Sequence, residues 1–332
     1  MLPLSTDVRH FTTYAPLETE LHLDPNQNIL FDLGYLGALS VTGDNSAQFL
    51  QGQLSCDTHV ITTKRMQQGA LCNLKGRILA LLDVVLWPTG STFQLVLPND
   101  LLSQTQTSLE KAALLSRVTL TPTTKIRCFG FYLQNPGDKT PFQKSLPKAQ
   151  YDVHADETAC CYNLGNNKYM LLVDLLHTHT LCDPFLENGQ YRGSLSWHAL
   201  RLQDHHVEIY SESRGLFLPH RLGLQHRGYL NFQKGCYKGQ EIIARTHYRA
   251  KEKHALRLFT IQTNQSLAFG QRLLDPTTQQ EVGEIIDYCP FGHTKLLIAA
   301  SLVLDPPDSF LLEEDLYKAS YLIEQPQSQH TF

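Results

Sequence analysis

Asn231-Phe-Gln-Lys-Gly-Cys-Tyr-Lys-Gly-Gln-Glu-Ile-Ile-Ala-Arg245 carries more information than any other run of the chain. Gly235 and Gly239 bracket Cys236 and Tyr237, which permits a tight turn and the close approach of a ligand. Ile242, Ile243 and Ala244 supply the buried side of a helix expected to begin at about Gln240. Cys236 thereby falls just ahead of a helix N-terminus, between Lys234 and Lys238. Cations and a helix N-terminus both favour thiolate over thiol, so a reactive or ligand-facing cysteine is one reading. The other is a small apolar residue packed in a turn, since cysteine is so often buried.

The same run sits in the most basic part of the chain. Residues 214–257 hold ten Lys/Arg against two Asp/Glu, a net +8 over 44 residues, within a 332-residue chain of net charge −4. His220, His226, His247, Phe217, Tyr229, Phe232, Tyr237 and Tyr248 are interleaved with these cations. Such a local field attracts phosphates or polycarboxylates whatever the whole-chain balance; an ordinary solvated surface is the alternative. With 42% hydrophobic and 18% charged residues the chain is no disordered polymer. Its length predicts two or three domains at ~100–200 residues each.

The eight cysteines form no C-x-x-C and no zinc-finger spacing, and a chain this long needs no disulfide staples. His205-His206 and His177-x-His179 lack a third placed ligand, so no metal site is expected. No basic n-region precedes an apolar core at the start. The most apolar run, residues 78–87, is short and broken by Asp83, which leaves no membrane span. The expected location is the cytoplasm.

Strands are expected at 28–33, 36–41, 69–74, 78–87, 92–97, 117–121 and 125–133. Helices are expected at 45–54 and from Asn99 or Asp100 to about 115. Pro88-Thr89-Gly90 reads as a turn and 135–148 as a surface loop. A hairpin follows at 159–173, then helices at 175–187 and 197–204, the latter capped by Ser196. After Arg249 the texture changes to strands at 254–262, 272–274, 281–286 and 295–302, with a frayed Gln-rich tail after Gln325. The class is α+β with a terminal β-domain.

Lys234-Gly-Cys-Tyr-Lys-Gly-Gln-Glu241 resembles the Lys-Gly-Cys-[Tyr/Phe]-x-Gly-Gln-Glu signature of the YgfZ-like branch of the folate-binding, aminomethyltransferase-related proteins. Val41-Thr-Gly-Asp44 with Phe49-Leu-Gln-Gly-Gln-Leu54, Lys75-Gly-Arg77 and Trp197-His-Ala-Leu-Arg201 agree in order, so the resemblance spans about residues 30–300. It implies an aminomethyltransferase-like multi-domain ring around a tetrahydrofolate site, with a C-terminal β-barrel. The implied division is 1–124 and 125–196 as α+β subdomains, 197–248 as a return segment completing the folate region, and 249–332 as the barrel. It further implies Trp197 as a wall of the pocket. Leu36 stands where the branch carries an aromatic, with Tyr35 adjacent but on the opposite face of its strand. Lys234, Tyr237, Gln240 and Arg245 complete the expected folate-contacting set.

True glycine-cleavage T-proteins follow the first hairpin Gly with Asp-Asp, where this chain has Ala80-Leu81. Gln203 replaces a common Glu, and Asp83 is displaced along the strand. The resemblance therefore implies no glycine-cleavage activity. It implies a folate-binding accessory protein that supports iron–sulfur cluster assembly or repair in client enzymes, including those that thiolate tRNA, with Cys236 as the working residue. Two alternatives stand beside it: a folate-dependent one-carbon transferase with a non-glycine substrate, and a non-specific tRNA-binding module using residues 214–257.

Overall fold

A computed structural model describes residues 4–5, 9–87, 92–141, 145–263, 265–313 and 320–322. Three larger sheets and six α-helices organise them: α1 (Leu17–Leu21), α2 (Ser46–Gln53), α3 (Asn99–Leu115), α4 (Thr178–Glu187), α5 (Ser194–Gln203) and α6 (Gln240–Arg249). The first sheet has five antiparallel strands in the order Gln67–Cys72, Ile78–Leu86, Phe93–Pro98, Leu36–Thr42, Thr119–Thr123. Strand Ile78–Leu86 is buried along most of its length because both of its faces are covered.

The second sheet runs Val153–Ala155, Ala159–Gly165, Lys168–Asp174, Ile126–Tyr132, Ile29–Asp32, Tyr191–Arg192, with its last pair parallel. The third runs His254–Gln262, Lys295–Val303, Glu281–Pro290, Arg272–Leu274, Ser309–Leu312, Ser320–Leu322, antiparallel throughout. It has its own apolar core of Phe259, Leu273, Ile285, Ile298 and Phe310. Its other face, through Leu258, Ile286, Cys289, Leu297 and Ala299, joins the main core of the first sheet. This is the α+β architecture with a terminal β-unit that the sequence pattern predicts.

The differences are local. Helix α3 starts after Pro98 without a side-chain cap, and Asn99 instead donates to the Gly34 carbonyl at 2.9 Å. Helix α5 starts at Ser194, two residues before the expected cap, with Gly193 as its N-cap; a Cβ at Gly193 would sit 1.9 Å from the Thr12 carbonyl oxygen. Strands Val153–Ala155, Tyr191–Arg192 and Ser309–Leu312 are too short for a periodic signal. The turn Pro88-Thr89-Gly90 and the tail after Gln325 lie outside the described residues.

Helix α5 lies against the second and third sheets, and Trp197 is its anchor, 1% exposed with its ring 5.3 Å from that of Phe31. The indole lies flat on Gly130 of strand Ile126–Tyr132: a Cβ there would stand 2.5 Å from Trp197 Cε3. Gly130→Ala is therefore expected to overpack this contact and cost about 1–3 kcal/mol in urea unfolding, with a shifted Trp emission. An unchanged midpoint and spectrum would show that α5 is free to move away.

Candidate functional site

The Cys236 segment is held from three sides. Lys234 Nζ donates to the carbonyls of Gln51 (2.8 Å), Leu54 (2.7 Å) and Cys56 (2.6 Å), satisfying the C-terminal end of α2. Burial pulls the Lys234 ammonium down to about 8, yet three carbonyl acceptors match its three donors. Asn231 N–H donates to Ser55 O, and Lys238 N–H to Gly52 O. Gly239 has φ +84°, and a Cβ there would meet Asn73 O at 2.4 Å, so only glycine lets the loop sit on the turn of the first hairpin. Gln240 Oε1 accepts from Tyr237 N–H at the start of α6. Tyr237 is buried against Lys234, 5.2 Å from its ammonium. Cys236 is exposed and the other seven cysteines are buried.

Elsewhere in the fold a cavity of ≈ 510 Å³, its mouth included, opens between the first sheet and α5. Trp197, Leu36, Leu81, Leu82, Val96, Leu97 and Pro98 supply much of its apolar wall. Its polar groups are Gln68, Asp83, Arg201, His206, Glu208 and Tyr229. An apolar concavity with a few convergent polar groups is the usual form of a small-molecule site. Asp83 accepts from Gln68 Nε2 (2.8 Å) and Tyr162 OH (2.9 Å). Glu208 accepts from Tyr35 OH (2.8 Å) and Tyr210 OH (3.0 Å). Burial raises both carboxyls above the usual carboxylate range, against the pull of these donors. Burial, then the charges of Arg201, Arg227 and Lys168, hold His206 well below the usual imidazole range.

The expected folate-contacting residues thus fall in two places. Trp197 and Leu36 line the cavity, and Tyr35 stands behind it with its hydroxyl on Glu208. Lys234, Tyr237, Gln240 and Arg245 do not line it. Lys234 lies at the C-terminal end of α2, Gly239 just before Gln240 packs on the turn of the first hairpin, and Arg245 is exposed on α6. Lys234 in particular is spent on backbone carbonyls rather than on a ligand.

Asp83, displaced along the strand from the T-protein carboxylate position, lines the cavity wall. Sequence reasoning passed over Arg201, although the i, i+4 spacing from Trp197 puts both on one face of a helix. Glu208 gave no local signal, because it follows α5 in irregular chain.

The basic segment is half consumed internally. Arg214 bonds Ser108 and Gln104 O, Arg221 bonds Glu284, Arg227 bonds Asp204 O, Lys234 is described above, and Arg257 bonds Leu304 O. Arg245, Arg249, Lys251 and Lys253 remain exposed on and after α6. Exposure and thiolate access decide cysteine reactivity. The native protein is expected to react at one thiol with an aromatic disulfide reagent, and at all eight after unfolding in urea. A second fast native thiol would contradict the burial of the other seven.

No protein-family model matches the chain. It is 26% identical over 247 residues to a tRNA-modifying protein YgfZ of Yersinia enterocolitica, covering 74% of each chain. It is 25% identical over 260 residues to that of Colwellia psychrerythraea, covering 78% of each. For the Klebsiella pneumoniae protein of the same name the figures are 28% over 220 residues, 65% of this chain and 67% of the relative. Among solved structures, the glycine cleavage system aminomethyltransferase T of Bartonella henselae superposes with a TM-score of 0.73 at 14% identity, covering 96% of this chain and 92% of that one. The chain is thus similar in sequence to the proteins named tRNA-modifying protein YgfZ, and it has the fold of aminomethyltransferase T.

Proposed function

We propose that this protein is a tetrahydrofolate-binding accessory factor in tRNA modification. Within that role it supports assembly or repair of iron–sulfur clusters in client enzymes, including those that thiolate tRNA, with Cys236 as the working thiol. The observation that carries the reading is the pairing of an open-mouthed cavity beside Trp197 with one exposed cysteine in the loop just ahead of α6. The names of the relatives support the tRNA role, and the resemblance to folate-binding proteins supports the ligand.

The cavity residues suit a reduced pterin. Trp197, Leu36, Leu81 and Val96 offer the ring an apolar bed, and Gln68, Asp83, Arg201 and Glu208 offer its polar edge both donors and acceptors. Buried Arg201 NH1 and His206 Nδ1 have no partner among the described residues, as expected where a ligand completes the hydrogen bonding. When bound, tetrahydrofolate supplies a one-carbon carrier. Cys236 is a single accessible thiol, and a resident cluster needs about four thiolates. Transient ligation or contact with a client follows from that shortage. Exposed Arg245, Arg249, Lys251 and Lys253 suit an anionic partner, tRNA included.

Tetrahydrofolate is expected to quench Trp fluorescence saturably. Cys236→Ser should retain that quenching and fail to restore thiolated tRNA in a strain lacking the endogenous protein. Full rescue by the serine variant would sink the role of the thiol, and absence of quenching would remove the ligand. The presence of Asp83 and Glu208 in the cavity favours one further reading, a folate-dependent one-carbon transferase with a non-glycine substrate, since both can hold a proton. Its expected outcome is amine-dependent turnover of methylene-tetrahydrofolate that Asp83→Asn abolishes; no turnover with any amine excludes it.

A further inference from the structure

Among the described residues three lysine or arginine side chains are almost wholly buried: Arg9 (5% exposed), Lys168 (5%) and Arg201 (6%). Two are paired, Arg9 with Asp287 at 3.1 Å and Lys168 with Asp204 at 2.9 Å. Arg201 makes no side-chain hydrogen bond or ion pair among the described residues, and its buried NH1 has no partner. The charge of Asp83 acts on Arg201 without a hydrogen bond between them, and a buried N–H donor with no acceptor carries its full desolvation cost. The two carboxyls that share its cavity take their hydrogen bonds from other groups, Asp83 from Gln68 and Tyr162, Glu208 from Tyr35 and Tyr210. His206 Nδ1, also lining the cavity, is a second buried atom without a partner.

We propose that Arg201 clamps the molecule bound in this cavity by donating its guanidinium fork to a planar oxygen-acceptor edge, a ring carbonyl or a carboxylate. Planar, bidentate acceptors are what a guanidinium recognises best. A phosphate fits poorly, because Arg201 is the one unspent cation in the wall and two carboxyls stand beside it. Arg201 and Trp197 lie four residues apart on α5, so a single helix presents both the fork and the aromatic wall. The identity of the ligand rests on the folate reading; the assignment of Arg201 rests on its missing partner.

The test compares wild type with Arg201→Met, which keeps the length and removes the charge. Without ligand, the variant is expected to melt a few degrees higher, since it loses a buried N–H donor that no acceptor in the fold satisfies. A lower melting temperature would mean that Arg201 already has its partner in the fold, and would overturn the inference. Both proteins are then titrated with tetrahydrofolate, with methyl-tetrahydropterin (ring carbonyl, no carboxylate) and with p-aminobenzoyl-glutamate (carboxylates, no pterin).

Arg201→Met is expected to weaken tetrahydrofolate binding by about tenfold or more, as for loss of a charge-assisted hydrogen bond. A matching loss for the pterin assigns the fork to the ring carbonyl, and one for the glutamate fragment assigns it to a carboxylate. Unchanged tetrahydrofolate affinity overturns the inference while leaving the folate reading intact. A wild type that binds none of the three ends the folate reading, and the melting comparison then decides Arg201 alone.

Discussion

Asp287 is the contact on which the arrangement of the cavity depends. It is fully buried, so every lone pair it keeps must be matched inside the protein. Arg9 donates to Oδ1 at 3.1 Å, the Glu208 backbone N–H donates to Oδ2 at 3.1 Å, and the Tyr288 N–H donates at 2.8 Å. His198 Nε2 of α5 stands 3.3 Å away. A register shift between Ile285 and Asp287 marks a bulge in strand Glu281–Pro290, the usual device for re-aiming a side chain. One carboxylate thereby joins the N-terminal segment, α5, the chain after α5 and the third sheet. Arg9 adds cation–π contacts to Tyr288 (4.5 Å) and Phe11 (4.8 Å) from the same buried spot.

The consequence reaches the cavity through Glu208. Its backbone is fixed by Asp287 and its carboxyl by Tyr35 and Tyr210, so the acid is presented at a set position without a rigid element of its own. The third sheet therefore acts as more than an appended unit: its docking completes the cavity wall. Removing one partner of such a buried pair costs about 3–5 kcal/mol because the other charge is stranded.

A second link joins the two functional places. Strand Ile78–Leu86 carries Leu81, Leu82 and Asp83 into the cavity, and the turn before it supports Gly239 and the start of α6. Cavity and thiol loop are thus both built on this hairpin, and Ser55 ties Tyr229 of the cavity wall to Asn231 at the start of the Cys236 segment. The residues 234–245 and the residues around Trp197 contribute to one fold while lining different surfaces.

Much of this was legible without coordinates. Alternating apolar runs located most strands, and the Gly-Cys-Tyr-Lys-Gly run located Cys236 ahead of α6, because strand period and glycine turns are set by neighbours in the chain. Leu36 and Trp197 followed from the resemblance. The fate of each charge was not legible. Lys234 turned inward to three carbonyls, five of ten cations in the basic segment were consumed internally, and Asp83, Arg201 and Glu208 converged from three separate parts of the chain. Sequence alone determined the local elements and the exposed thiol's setting. Tertiary structure alone decided which polar groups lost water and which partners they gained, since desolvation and pairing depend on distance in space rather than along the chain.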